Sequence, residues 1–287
     1  MTEHLPQFIT EKAGILAAAG IESAKAEIEI ILCHVLEVDR LNLYLHGPQL
    51  LNTSTLKRID EIIERRVTRY PLQYILGETW FYGRRFHVSP VVMVPTPETE
   101  LLCENALGFV RNRQLAAPRI LDLGVGSGVI SITLACELAK VSVLALDISA
   151  EAIDVARGNA REHGVSDKIE FRLSDSFQAV GAHESFDLIL SNPPYIRESD
   201  YDGLPPEVKA DPKVSLVAGE DGLDAIRKII RYASDHVAKD GRIMFEISHD
   251  QVELVTRLTK QDGHYNYIDI IRDLNDLDRL VVLGRKG

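Results

Sequence analysis

From Arg119 onward, short apolar runs rich in β-branched residues alternate with stretches of helical periodicity, and few folds accept that alternation. The runs at 120–123, 141–146, 169–173, 186–190 and 242–247 each read as a buried strand, and 267–271 with 279–283 read as a closing strand pair. Helices fill the gaps. Ser149 caps a run carrying Ile153, Ala156 and Ala160 that ends at Gly164, and another spans 223–237. The pattern predicts an α/β domain built on a mainly parallel sheet.

The segment before it is different. Residues 26–32 are apolar and Ala-rich, and in the run from Thr53 to Arg69 the residues Leu56, Ile59, Ile63 and Val67 fall on one helical face, with Pro71 as its stop. Residues 1–75 are therefore expected to be a small helical bundle. Trp80 to Val88 is β-branched and aromatic around Gly83, so residues 76–95 are expected to form a β-hairpin linker, and residues 96–287 the main domain. At the entry to that domain Thr96 is placed to cap a helix, Pro97 to occupy its first position, and Glu98 and Glu100 to favour its positive end. This stretch is read either as a plain connector and helix start or as a lid facing a substrate.

Composition excludes some classes. A formal charge of −11 repels a phosphate backbone, so no direct nucleic acid binding is expected. The start, Met1-Thr2-Glu3-His4, has no basic region followed by an apolar core, and no apolar run reaches the ~18 residues of a membrane span. Cys33, Cys103 and Cys136 are far apart, which suits small core side chains in a reducing cytoplasm. His34, His46 and His87 lack ligand spacing, and no metal is expected.

At the end of the first strand of the α/β domain stands Leu121-Asp122-Leu123-Gly124-Val125-Gly126-Ser127-Gly128. Glycines there let the backbone approach a ligand at the crevice of an open sheet, though the same turn also serves as a tight strand-to-helix connection. Asp147, at the end of the second strand, is placed to accept both hydroxyls of a ribose. The glycine spacing is neither that of a dinucleotide site nor of a phosphate loop, so a nucleoside cofactor without a pyrophosphate fits best. Asp122 has two readings: holding an ammonium group of that cofactor, or bonding amides of the glycine loop. The third strand ends at Ser174-Asp175-Ser176-Phe177, where Asp175 is placed either to accept from an adenine amine or to cap a helix.

After the fourth strand comes Ser191-Asn192-Pro193-Pro194-Tyr195. Two prolines end the ladder and fix a rigid turn beside the crevice. An amide or arylamine nitrogen is a poor nucleophile, because its lone pair is delocalised. If its two N–H groups donate to the side-chain oxygen of Asn192 and the carbonyl of Pro193, the lone pair is aimed at a methyl sulfonium. Tyr195 can then stack on the flat group. Positioning and electrostatics supply the rate, and no strong base is needed. The bland alternative is a turn in which Asn192 bonds its own backbone.

At these residues the chain resembles the HemK/PrmC family of protein-(glutamine-N5) methyltransferases, which modify peptide chain release factors. The resemblance spans nearly the whole length. It includes Pro71-Leu72-Gln73-Tyr74-Ile75-Leu76-Gly77, Phe81-Tyr82-Gly83, Phe86-His87-Val88 and Val94-Pro95-Thr96-Pro97-Glu98-Thr99-Glu100. It continues through the glycine loop, Asp147, the Asn192 tetrapeptide with Ile196, Gly219-Glu220-Asp221-Gly222-Leu223-Asp224, and Asp273-Leu274-Asn275-Asp276-Leu277-Asp278-Arg279.

The resemblance implies a seven-stranded Rossmann-like class I methyltransferase domain after a helical substrate-recognition domain and a hairpin. It implies S-adenosyl-L-methionine as cofactor, leaving as S-adenosyl-L-homocysteine, and the glutamine of the Gly-Gly-Gln motif in release factors 1 and 2 as substrate, with the enzyme a monomer. By position, Gly124, Val125, Gly126, Ser127, Gly128, Asp147, Ser176 and Asn192 hold the cofactor, while Asn192, Pro193, Pro194 and Tyr195 hold the glutamine. Thr96 stands where the family usually has Arg, Val125 for a common Thr, Ser176 for a bulky aromatic, and Asp211-Pro212 for Glu-Pro. Rival readings are an amino-methyltransferase acting on adenine or cytosine, a nicotinamide-dependent dehydrogenase, and a non-catalytic adaptor. The acidic charge, the glycine spacing and the intact tetrapeptide oppose them in turn.

Overall fold

In the computed structural model, residues 5–286 are described. They divide into two units, one of Met1–Glu78 with Pro205–Ala210, the other of Thr79–Leu204 with Asp211–Gly287. The hairpin from Thr79 onward belongs to the second unit, and a segment from within the α/β domain belongs to the first. The expected boundaries at 75 and 95 therefore describe the chain's order but not its contacts.

The first unit holds α1 (Leu5–Ala18), α2 (Ala24–Leu36), α3 (Arg40–Leu50), α4 (Thr53–Arg66) and α5 (Leu72–Leu76). Ile9, Leu16, Ile28, Ile31, Leu32, Leu43 and Ile59 are fully buried in one cluster. Asn52 starts α4 with a reciprocal cap: its side chain accepts from the Ser54 and Thr55 amides, and Thr55 Oγ1 accepts from the Asn52 amide. The helix ends at Arg66 rather than Arg69, which lies at φ 68°. Buried Arg66 donates to Glu27 at 2.7 Å and to Glu207 at 3.0 Å, and Arg69 donates to Glu207 at 2.5 and 2.9 Å. These bonds tie Pro205–Ala210 to the helices.

In the second unit, β1 (Glu78–Phe81) and β2 (Arg84–His87) pair across a turn at Tyr82 and Gly83, both at positive φ. Then follow α6 (Pro97–Asn112), β3 (Arg119–Leu123), α7 (Val129–Glu137), β4 (Ser142–Asp147), α8 (Ala150–Glu162), β5 (Ile169–Leu173) and β6 (Phe186–Ser191). The short helix α9 (Pro206–Lys209) comes next in the chain, followed by α10 (Asp224–His236), β7 (Val237–Glu246), α11 (Val252–Asp262), β8 (Tyr265–Arg272) and β9 (Asp278–Arg285).

Seven strands form one sheet in the order β5-β4-β3-β6-β7-β9-β8, parallel except where β9 runs antiparallel to both neighbours. This is the seven-stranded α/β architecture expected from the sequence. Alternate strand residues bury against helices on both faces: Ile120, Val143, Leu188 and Met244 on one side, Leu121, Leu144, Ile189 and Ile243 on the other. Strand β7 starts at Val237, five residues before the expected edge, because Val237 pairs with Phe186 ahead of a register shift.

Candidate active site

Register decides what meets at the carboxyl edge of the sheet. Leu123 of β3 pairs with Ser191 of β6 and with Leu146 of β4, and Asp147 pairs with Leu173 of β5. The three loops that leave β3, β4 and β6 therefore start side by side, at the point where strand order reverses. Ser191 Oγ reinforces the seam by donating to the Leu123 carbonyl at 2.8 Å.

A cleft of ≈ 370 Å³ opens there, within the roughly 300–1,000 Å³ usual for small-molecule sites. Its walls include Gly124, Val125, Gly126 and Ser127 of the glycine loop but not Gly128, with Asp147, Ser149, Asp175, Ser176, Asn192, Pro193 and Pro194. Val91, Val92, Met93, Pro95 and Thr99 supply a further wall, so the segment leading into α6 faces the cleft rather than serving only as a connector. Thr96 occupies the N-cap position of α6, but its hydroxyl makes no capping bond; the expected cap is absent.

The glycine loop is held from both ends. The Gly124 and Val125 amides donate to the Leu146 carbonyl at 2.8 and 2.9 Å. The Gly126 amide donates to Asp147 Oδ2 and the Ser149 amide to Oδ1, each at 2.9 Å. Asp147 is thereby fixed with its carboxylate at the cleft wall, each oxygen keeping a lone pair for a further donor. Gly128 sits at φ +89°, and a Cβ there would come within 2.8 Å of Ile132 Cδ1 and 3.2 Å of Ala156 Cβ. Glycine is thus required both for the turn and for the packing of α7 on α8.

Asp122 corrects both of its sequence readings. It is fully buried, lies outside the cleft lining, and accepts from the Ser131 hydroxyl at 2.5 Å and the Ser131 amide at 3.2 Å. Burial pushes its carboxyl up to about 6, against those two bonds and with a smaller push from Asp147. Asp175 lines the cleft as expected, but its Oδ1 is paired with Lys228 Nζ at 2.7 Å, a partner that the sequence did not suggest. Ser176 also lines the cleft, at φ 54°.

In the tetrapeptide, Asn192 Nδ2 donates to Thr99 Oγ1 at 2.9 Å. The amide is therefore held by α6 rather than by its own turn. Tyr195 follows directly after Pro194, the last residue of the tetrapeptide that lines the cleft. Burial pushes the Tyr195 phenol up to about 12, with the Glu246 carboxylate adding to the rise.

Sequence reasoning missed three buried groups, two of which brace these loops. Asn159 on α8 donates to the carbonyls of Ser127 at 2.8 Å and His87 at 3.0 Å, and accepts from the His87 amide at 2.9 Å. Gln251 donates to the carbonyls of Tyr195 at 3.0 Å and Gly222 at 3.1 Å. Gly222 must be glycine, because a Cβ would fall 2.4 Å from the Tyr195 carbonyl oxygen. Glu246, at the end of β7, is 1% exposed, and burial pushes its carboxyl up to about 7. The Gly219-Glu220-Asp221-Gly222 run was the available signal for the second of these; the others carry none.

Residues 8–77 match the family described as the PrmC N-terminal domain, and residues 99–203 the methyltransferase small domain. The release factor glutamine methyltransferase of Nitratidesulfovibrio vulgaris is 37% identical over 272 residues, covering 94% of this chain and 91% of that protein. That of Cereibacter sphaeroides is 40% identical over 269 residues, covering 93% of each. The chain belongs to the release factor glutamine methyltransferase family. Members from Geobacter sulfurreducens reach 38% identity over 96% of this chain and 94% of the relative. Among solved structures, a methyltransferase from Pyrococcus furiosus is 16% identical with a TM-score of 0.50, covering 71% of this chain and 89% of that one. The hMettl16 catalytic domain is 13% identical with a TM-score of 0.57, covering 78% and 92%. Those two likenesses place this family member in the class I methyltransferase fold.

Proposed function

We propose that the chain methylates the side-chain amide nitrogen of the glutamine in the Gly-Gly-Gln motif of release factors 1 and 2, using S-adenosylmethionine. The observation that carries the reading is the Leu123–Ser191 register, which starts the glycine loop and the Asn192 turn from adjacent strand ends. One nucleoside-sized cleft then borders both.

The donor set suits the cofactor. The Gly124–Ser127 backbone leaves room for an amino-acid end, the Asp147 carboxylate can accept from ribose hydroxyls, and Ser176 with Asp175 borders the expected adenine position. When bound, S-adenosylmethionine supplies an electrophilic methyl group on a sulfonium. The protein's part is placement. Asn192 Nδ2 is held by Thr99, so Oδ1 is the amide atom left to accept one N–H of the substrate; the Pro193 carbonyl accepts the other. Proline has no N–H to compete, and the two bonds orient the nitrogen lone pair toward the cofactor end of the cleft. Pro194 extends the wall on which the flat amide lies. The first unit is read as the surface that recognises the release factor. The enzyme is read as a cytoplasmic monomer; among the described residues no helix is long and apolar enough to cross a membrane.

Incubation with methyl-labelled cofactor and either a bacterial class 1 release factor or duplex DNA tests this reading. A gain of about 14 mass units on the Gly-Gly-Gln peptide is expected from the chemistry of one methyl for one hydrogen. Label in DNA alone would overturn it.

A further inference from the structure

The cleft has an uneven lining. Among the described residues that border it there is no Phe, Tyr, Trp or His, and the one basic side chain is Lys228, against the carboxylates of Asp147, Asp175 and Asp224. A purine that enters therefore meets no aromatic face to stack on. Its orientation falls to aliphatic contact and to hydrogen bonds along its edge. The balance of charge also disfavours a phosphate, so an anion is not what Lys228 is there to hold.

Lys228 reaches the cleft from α10, whose Asp224, Ala225, Lys228 and Ile229 lie on one helical face toward it. Its Nζ donates to Asp175 Oδ1 at 2.7 Å. The loop that carries Asp175 is held by buried Ser174. The Ser174 amide donates to the Asp147 carbonyl at 2.8 Å, and its hydroxyl donates to the Ser176 carbonyl at 2.8 Å and accepts from the Ala179 amide at 3.0 Å. Asp147 pairs with Leu173 in the sheet, so the carboxylate placed for a ribose and the one paired with Lys228 follow adjacent strand ends. Lys228 and Asp175 remain 46% and 40% exposed, so their pairing adds little to folding.

We propose that Lys228 is a specificity-determining residue that reads the edge of the cofactor's base together with Asp175, selecting adenine over a 6-oxopurine. The bond between them uses one ammonium hydrogen and one carboxylate oxygen, which leaves two hydrogens on Nζ beside the lone pairs of Oδ2. Adenine carries the complementary order: an amine that donates at C6 and, on either flank of it, a ring nitrogen that accepts. Asp175 Oδ2 accepts from the amine, and Lys228 donates to the ring nitrogen. Hypoxanthine puts an oxygen at C6 instead. Two acceptors then oppose each other at Asp175, and the Ser174 bonds keep that loop from moving aside.

The inference rests on the reading of the cleft as the S-adenosylmethionine site, and its test needs no release factor. The full chain is titrated calorimetrically with S-adenosylhomocysteine, its inosine counterpart and its 1-deaza and 7-deaza analogues. The homocysteine form is used because deleting a cation would by itself favour the charged sulfonium. Wild type should bind the adenine form about 10- to 100-fold more tightly than the inosine form. The deaza analogue that lacks the nitrogen facing Lys228 should bind wild type about 10-fold more weakly than the parent. Lys228→Met should bind the parent about 10-fold more weakly and lose the difference between the parent and that analogue, with its urea midpoint unchanged. A lysine that merely holds Asp175 would leave that difference intact. An undiminished difference in Lys228→Met, or parent and both deaza analogues bound alike by wild type, therefore overturns the proposal. Failure of wild type to bind S-adenosylhomocysteine at all overturns the cofactor reading and the proposal together. Discrimination that depends on Lys228 in a protein that methylates no release factor removes the substrate reading and leaves the proposal standing.

Discussion

Asn192 illustrates what a single side chain can be asked to do. On the proposed reading its carbonyl oxygen serves only to accept an N–H of the substrate, so its removal should cost the reaction far more than it costs the fold. Asn192→Ala is expected to reduce kcat by about 10²–10³ while the far-ultraviolet circular dichroism is unchanged. A variant of normal turnover would return the turn to a structural role. Gly128 makes the opposite prediction. A methyl group there meets Ile132 and Ala156 and forces a left-handed φ on alanine, so Gly128→Ala should destabilise the chain by about 1–3 kcal/mol, measured as a lowered urea midpoint. At this scale the sequence was legible where a residue's own chemistry suffices, as with glycines at a turn or prolines ending a strand. It was illegible where the partner lies far along the chain. Nothing local says that Asp122 turns to Ser131 and not into the crevice, or that Thr99 receives Asn192 from 93 positions away.

Elements were more legible than residues, because period and register act over many side chains at once. The strands at 120–123 and 169–173 fall where alternation and β-branching place them, and the helix that Ser149 caps starts as expected, with Ser149 Oγ accepting the Ala152 amide at 3.1 Å. Strand β7 was misjudged at its start, since Ala238, Lys239, Asp240 and Gly241 carry no strand pattern and enter the strand only through the irregular pairing with β6. Helix α9 was not visible at all: four residues cannot display a period, and what holds them is a distant arginine pair. That pair makes a prediction at the scale of the element. Burial works to raise the Glu207 carboxyl, but Arg69 and Arg66 outweigh it and hold it down to about 2. Replacing Arg66 with alanine leaves the largely buried Glu27 carboxylate without its arginine, while Glu207 keeps Arg69. The first unit should lose about 3–5 kcal/mol, seen as an early transition in urea monitored by helical signal. Arg66→Met together with Glu27→Gln should restore part of it, because it removes the charge along with its partner.

The whole molecule carries two opposed demands on pH. Asp122 and Glu246 are carboxyls whose folded values, about 6 and about 7, lie above their ordinary ones, so between pH ~4 and pH ~7 the folded chain holds protons that the unfolded chain has released. Stability from these groups is therefore complete at low pH and falls as pH rises through that window, by about 3 kcal/mol for each buried group. Glu207 acts with the other sign: its contribution is present above pH ~4.5 and disappears as pH falls toward 2. The stability maximum should thus lie near pH 5. A net charge of −11 at pH 7 also relaxes on acidification and pushes the same way, so a rise in Tm between pH 8 and pH 5.5 would not by itself identify the buried carboxyls. The comparison that does is Glu246→Gln. It keeps the shape, removes one of the two buried protons from the linkage and leaves the surface charge intact, so its Tm should exceed that of the wild type at pH 8 and approach it at pH 5.5. Were the two proteins to keep a constant Tm difference across that interval, Glu246 would be titrating no differently in the folded and unfolded chains.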